Sequence, residues 1–101
     1  MAADIQRSVE AVWRIESPRL IAGLARMLRD VGLAEEFAQD ALVSALEHWP
    51  GAGIPDNPGA WLMTTAKRRA IDQLRRNKLI ERKHEQIGYE IEVGEGSGPA
   101  D

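Results

Sequence analysis

The chain has 101 residues, 44% of them hydrophobic, a formal net charge of -3, two His and no Cys. That is one domain's worth of sequence, enough for a modest core but too little for an enclosed cavity of enzyme size, and the absence of Cys excludes disulfides and thiolate metal sites. His48 and His84 lack ligand-like spacing, the N-terminus lacks the basic start and apolar run of a signal peptide, and no stretch approaches the roughly 20 apolar residues of a membrane span. The composition therefore points to a cytoplasmic protein without cofactor, metal or membrane contact.

The first segment, "DIQRSVEAVWRIE", places Ile5, Val9, Val12 and Trp13 on one side of a helix. "SPRL" then reads as a break, with Ser17 as N-cap and Pro18 as the first residue of a second helix running to about Asp30. Its stripe is Leu20, Ile21, Leu24, Met27 and Leu28, and Gly32 is a natural stop. A third helix, "AEEFAQDALVSALEHW", carries Glu35 and Glu36 in its first turn, where the helix dipole favours negative charge. Its apolar stripe is Ala38, Ala41, Leu42, Ala45, Leu46 and Trp49, and Glu36, Gln39, Asp40, Val43 and Glu47 share the opposite side.

"PGAGIPDN", residues 50–57, is too rich in Pro and Gly to continue that helix. Asn57 and Pro58 then form a second N-cap and N1 pair, opening a fourth helix that runs to about Asn77. On it Leu62, Met63, Ala66, Ala70, Ile71 and Leu74 collect on the core side. Trp61, Arg68, Arg69, Asp72, Arg75 and Arg76 gather opposite, with Lys67 and Lys78 at the border. Residues 81–101 end in Gly, Ser and acid, the composition of a tail or linker. The expected fold is all-α, a compact bundle of four principal helices over residues 1–80 followed by a flexible acidic tail over 81–101.

The total charge conceals an uneven distribution. Residues 1–56 hold five basic and nine acidic groups, residues 57–84 hold eight and two, and residues 85–101 hold none and five. A basic island between acidic flanks is a candidate polyanion site, because clustered Lys and Arg release counterions on meeting phosphates. It also reads as a solvated face in which Asp72 ties Arg68 and Arg76 at i±4 spacing. Trp61 is open in the same way, either packed beneath the preceding loop or serving as a stacking platform for single-stranded nucleic acid. Trp13 and Trp49 extend apolar stripes and belong to the core.

"AEEFAQDALVSALEHW", a Pro/Gly loop and "AWLMTTAKRRAIDQLRR", in that order, resemble region 2 of the extracytoplasmic-function sigma factors, the small promoter-recognition subunits of bacterial RNA polymerase. Ala34, Glu35, Glu36, Gln39, Asp40 and Leu42 fall at the places of that family's third-helix pattern, and Trp61, Leu62, Ala66, Asp72, Arg75 and Arg76 at those of its fourth. The chain departs from the pattern at Thr65 and Arg68, so base contacts are not carried over there. The likeness covers residues 5–78, and "VWRIESPRLIAGLARMLRDVG" further resembles a subgroup with long C-terminal extensions.

The resemblance implies a non-enzymatic initiation factor, monomeric when free, with core polymerase, promoter DNA and in some members an anti-sigma factor as partners. Glu36, Gln39, Asp40, Val43 and Glu47 would meet the clamp helices of the largest polymerase subunit. Residues 50–57 would capture a base flipped from the non-template strand of the minus-ten element, with Asp56 and Asn57 as the polar side chains able to read it. Trp61, Lys67, Arg68, Arg69, Arg75 and Arg76 would bind the strand beside it. The acidic tail looks like the linker towards a second, helix-turn-helix domain. Two other readings stand beside this one: a helix-turn-helix repressor, disfavoured by the long turn before the fourth helix, and a helical adaptor whose basic face meets an acidic protein.

Overall fold

The apolar positions Val9, Trp13, Leu20 and Leu24 keep one helical phase straight through Pro18, and the chain follows that phase. The computed structural model describes residues 2–97, with the side chains of residues 4–87. Among the described residues there are three helices in order: α1 (Ala2–Leu28), α2 (Val31–Ala52) and α3 (Pro58–Ser97). The expected first and second helices are thus one, and the four-helix count is corrected to three. Pro18 removes one backbone donor and crowds the Arg14 carbonyl, a cost of about 3 kcal/mol in an isolated helix. It lies on the exposed side of α1, and Val9 before it and Leu20 and Leu24 after it are buried in one core, so packing carries the helix across the proline.

The stop between α1 and α2 also differs from the expectation. Arg29, not Gly32, is the residue that turns the chain, at φ 55°, with its N–H bonded to Ala25 O at 2.7 Å. Asp30 follows as N-cap of α2, its carboxylate accepting from Leu33 N–H at 3.0 Å. Gly32 lies inside the first turn of α2, and that turn contains no acid. A left-handed non-Gly residue is unfavourable by about 1–2 kcal/mol, and an Asp cap returns about 1 kcal/mol of this. The two-residue link makes α1 and α2 a helical hairpin, and they pack along each other.

The chain divides into two compact units, Met1–Ala70 and Ile71–Asp101. The core of the first consists of Val9, Leu20, Leu24, Phe37, Trp49 and Leu62 with six alanines: Ala34, Ala38, Ala41, Ala45, Ala66 and Ala70. Small side chains on facing helices allow close backbone approach, and the end of the Met63 side chain fills the space beside Gly23. Ala38, Ala41, Ala45 and Trp49 of the predicted α2 stripe are buried, but Ala34, Phe37 and Ser44 extend the buried side to one flank, and on the other Leu42 is half-buried and Leu46 exposed. Leu42 and Leu46 instead line a groove of about 490 Å³ beside Val9 and Trp13 of α1.

The second unit is helical to Ser97, past the break expected near Asn77. "KLIERKHEQI" contains neither Pro nor Gly and consists mostly of good helix formers, so nothing local ends the helix there. Ile71 and Leu74, expected in the core, are 45% and 48% exposed, because their unit contains no second element among the described residues to cover them. The side chains of Glu90, Glu92 and Glu95, and residues 98–101 altogether, lie outside the described residues. Among the described residues no helix is long and apolar enough to cross a membrane, and no group of three His, Asp or Glu side chains is arranged to hold a metal.

Candidate functional site

The first unit presents two polar surfaces built on different elements. On α2, Glu36, Gln39, Val43 and Glu47 are exposed and Asp40 is half-buried. At 100° per residue these five fall within one stripe, away from Phe37, Ala41 and Ser44. The stripe combines three carboxylates, an amide and an isopropyl group, a surface suited to a basic partner with some apolar contact area.

The second surface begins at the end of α2. That helix runs three residues beyond Trp49, so the connecting loop is Gly53–Asn57, shorter than the predicted 50–57. Pro50 falls in the last turn, where it forfeits the N–H bond to the Leu46 carbonyl, and Gly53 terminates the helix with φ 88° and ψ 162°, a conformation open to glycine alone. The Gly53 N–H caps Trp49 O at 2.7 Å. At the other end Asn57 caps α3 as predicted, its Oδ1 accepting from Ala60 N–H at 3.1 Å, while Asn57 O accepts from Trp61 N–H at 3.2 Å. The loop is thus held at both ends. Asp56 is exposed, and the Asn57 side chain has its oxygen engaged.

Trp61 is half-buried and packs edge-to-face on Trp49, with ring centroids 5.3 Å apart and an interplanar angle of 65°. The His48 ring lies 6.2 Å away, tilted by 55°. His48 Nδ1 lies 2.7 Å from Ser44 O and donates to it. Trp61 also anchors Thr65, whose hydroxyl donates to Trp61 O at 2.9 Å. One turn further on, Lys67, Arg68 and Arg69 are exposed. Arg69 is tethered, its guanidinium donating to Ser44 Oγ at 3.4 Å.

Arg75 and Arg76 belong to the second unit, where both are exposed. The solvated-face reading places Asp72 between Arg68 and Arg76; among the described residues no ion pair engages Asp72. Exposed pairs at this spacing yield only about 0.3–0.5 kcal/mol against the side-chain entropy of two long chains.

Sequence reasoning missed Ser44 and His48. Ser44 is the buried polar residue of the core, 4% exposed, and it receives Arg69 from α3. Its signal was present, since Ser44 stands three residues after Ala41 and seven after Phe37, in phase with the buried side of α2.

The chain matches the Sigma-70 region 2 family model over residues 13–80, more than half its length. An uncharacterized protein of Rhizobium meliloti is 41% identical over 59 residues, covering 58% of this chain and 14% of that protein. The ECF RNA polymerase sigma factor SigK of Mycobacterium sp. strain KMS is 36% identical over 74 residues, 69% of this chain and 37% of SigK. SigK of Mycobacterium tuberculosis is 36% identical over 87 residues, 82% of this chain and 41% of that protein. The chain thus spans well under half the length of these relatives. No solved structure matches it. On the family match and the SigK relatives together, the chain belongs to the Sigma-70 region 2 family, in its extracytoplasmic-function branch.

Proposed function

We propose that the chain is the part of a cytoplasmic transcription initiation factor that docks on core RNA polymerase and reads and helps melt the promoter minus-ten element. The observation that carries this reading is the region 2 match over residues 13–80, which includes the acidic side of α2, the capped loop and the start of the basic helix. It favours a sigma factor over the repressor and adaptor readings. In this proposal residues 1–80 are the working domain and residues 81–101 an acidic linker, and the free protein is a monomer.

Glu36, Gln39, Asp40, Val43 and Glu47 contact the clamp helices of the largest subunit. The Leu42 and Leu46 groove beside them adds apolar area. Asp56 and Asn57 face a base flipped out of the non-template strand. Flipping costs a few kcal/mol of unstacking, which strand contacts by Lys67, Arg68, Arg69, Arg75 and Arg76 offset. Trp61 supports the loop from beneath through Trp49 and keeps its exposed part for the strand. Phosphate contacts then position the strand and the loop specifies it.

Asp40 is the residue to test, being the half-buried acid of the α2 stripe. Asp40→Ala is expected to weaken binding to core polymerase by about 2 kcal/mol or more, the range for one partner of a desolvated charge pair, with the thermal midpoint nearly unchanged. Equal retention of wild type and variant by immobilised core enzyme would remove the α2 surface from the proposal.

A further inference from the structure

The head of α3 leaves one donor unassigned. Pro58 has no N–H, Ala60 N–H is taken by Asn57 Oδ1, and Trp61 N–H by Asn57 O. Gly59 N–H has no acceptor among the described residues. Against this glycine lies the carboxylate of Glu16, half-buried and contributed by α1, occupying the space where a Cβ would stand. A side chain at residue 59 would evict it. The atoms displaced are the end of a flexible side chain, so a larger residue at 59 removes the contact rather than the fold, and the backbone angles there do not call for glycine.

On the α3 side of this contact the charge is one-sided, while Arg14 and Arg19 flank Glu16 in the sequence of α1. No Lys or Arg occurs between Pro50 and Ala60, and Asp56 is the nearest ionised neighbour in sequence. A helix N-terminus carries about half a positive charge and attracts anions, phosphates among them. Here a carboxylate of the protein itself already stands at that end. The basic residues begin only at Lys67, two turns along the helix.

We propose that Glu16 is a positioning and specificity residue for the loop Gly53–Asn57. Its carboxylate holds the first turn of α3, and therefore the exit of the loop, and it keeps strand phosphates off the helix end. Backbone contacts are thereby confined to the cations further along α3, and the loop meets bases. The proposal rests on the reading of this loop as the base-reading element. It assigns to α1 a part in promoter choice that the sequence surrounding Glu16 does not suggest.

The test compares wild type with Glu16→Gln, which keeps the shape and removes the charge, and Gly59→Ala, which keeps the charge and removes its seat. Amide exchange at Gly59, Ala60 and Trp61 is expected to accelerate severalfold in both variants while exchange in α2 stays as in wild type. Glu16→Gln should also bind fluorescein-labelled dT20 about two- to fivefold more tightly, the equivalent of one helix-end charge interaction. Its slope of log affinity against log salt should steepen by about 0.7 as one more phosphate is engaged. Unchanged exchange in both variants overturns the positioning role, and unchanged dT20 affinity and slope overturns the exclusion of phosphate. Strands selected from a randomised pool by the chain with core polymerase separate this from the reading beneath it. If wild type selects no base preference, the loop assignment fails, and the exchange rates still decide whether Glu16 holds α3. If wild type selects a preference and Glu16→Gln selects the same one as sharply, the specificity role of Glu16 fails and the loop assignment stands.

Discussion

Along α3, Leu62, Ala66 and Ala70 are at most 1% exposed, whereas Ile71, Leu74, Leu79 and Ile80 are 45–56% exposed. The residue types are similar and the helix is the same. The first group belongs to the unit Met1–Ala70, which contains two other helices; the second belongs to Ile71–Asp101, which contains none among the described residues. Periodicity selects a face, but burial requires another element within the unit to cover it. Burying a Leu is worth about 1.5–3 kcal/mol relative to leaving it exposed. The two stretches therefore differ in what their apolar residues contribute, although they look alike in sequence.

The largest effect should come from that difference. Leu62→Ala leaves a void in a core already rich in alanine and is expected to cost about 2–5 kcal/mol, read as a lower urea midpoint with unchanged slope. Leu79→Ala should stay within about 0.5 kcal/mol of wild type, as for other surface positions. A cost above about 1.5 kcal/mol at Leu79 would mean that the second unit is covered in solution, and the comparison would break.

Proline probes the same contrast through the backbone. Pro18 is carried by the packing on both sides of it, so Pro18→Ala should restore a hydrogen bond to the Arg14 carbonyl and stabilise the first unit by about 1–3 kcal/mol. In the second unit no other element among the described residues is present to compensate. Glu81→Pro should lower ellipticity at 222 nm by the helical content of the residues around it, because a helix without tertiary contacts is marginal. The unfolding midpoint of the first unit should not move. If ellipticity is retained, residues 71–97 have a partner that holds them.

Charge supplies a smaller test. Arg68 stands on the packed part of α3 and Arg76 on the uncovered part, both exposed. If both hold phosphates, Arg68→Ala and Arg76→Ala each lower the salt slope for a single strand by about 0.7. A slope altered only by Arg68→Ala would confine the nucleic-acid surface to the first unit.

Much of this architecture was legible in the sequence wherever a local signal carried it. Asn57 and Pro58 announced the start of α3, Trp49 the core, and Glu36 to Glu47 an exposed stripe, because caps and periodicity act within a few residues. The errors arose where distant packing outweighed a local signal. "SPR" has the chemistry of a helix start, yet Leu20 and Leu24 lie in phase with Val9 and share its core. Gly32 has the chemistry of a stop, yet Asp30 caps two residues earlier and Arg29 takes the left-handed position. Ile71 and Leu74 fit the stripe of α3, but no sequence pattern states where the covering helices end. The seat of Glu16 on Gly59 was invisible for the same reason, since it joins residues from opposite ends of the first unit.

The smallest expected effect concerns Ser44 and Arg69, and it tests whether the first unit fixes its cations as well as its core. Ser44 Oγ is buried on α2 and accepts from the Arg69 guanidinium at 3.4 Å, a long bond to a charged donor on an exposed residue. A hydrogen bond to a charged group contributes about 1.5–3 kcal/mol when short and well aligned. At this length and exposure we expect a coupling of about 0.5 kcal/mol in a Ser44→Ala/Arg69→Ala double-mutant cycle. Ser44→Ala alone should be nearly neutral, because it removes the polar atom and leaves a methyl among alanines. The consequence for binding is more informative than the stability. A tethered guanidinium loses little side-chain entropy on meeting a phosphate, so Ser44→Ala should weaken single-strand binding modestly while leaving the salt slope unchanged, since the charge remains. Arg76, in the second unit, should show no coupling to Ser44 in the matching cycle. A coupling at Arg76 as large as at Arg69 would show that the tether is not local, and the distinction between held and free arginines would have to be abandoned.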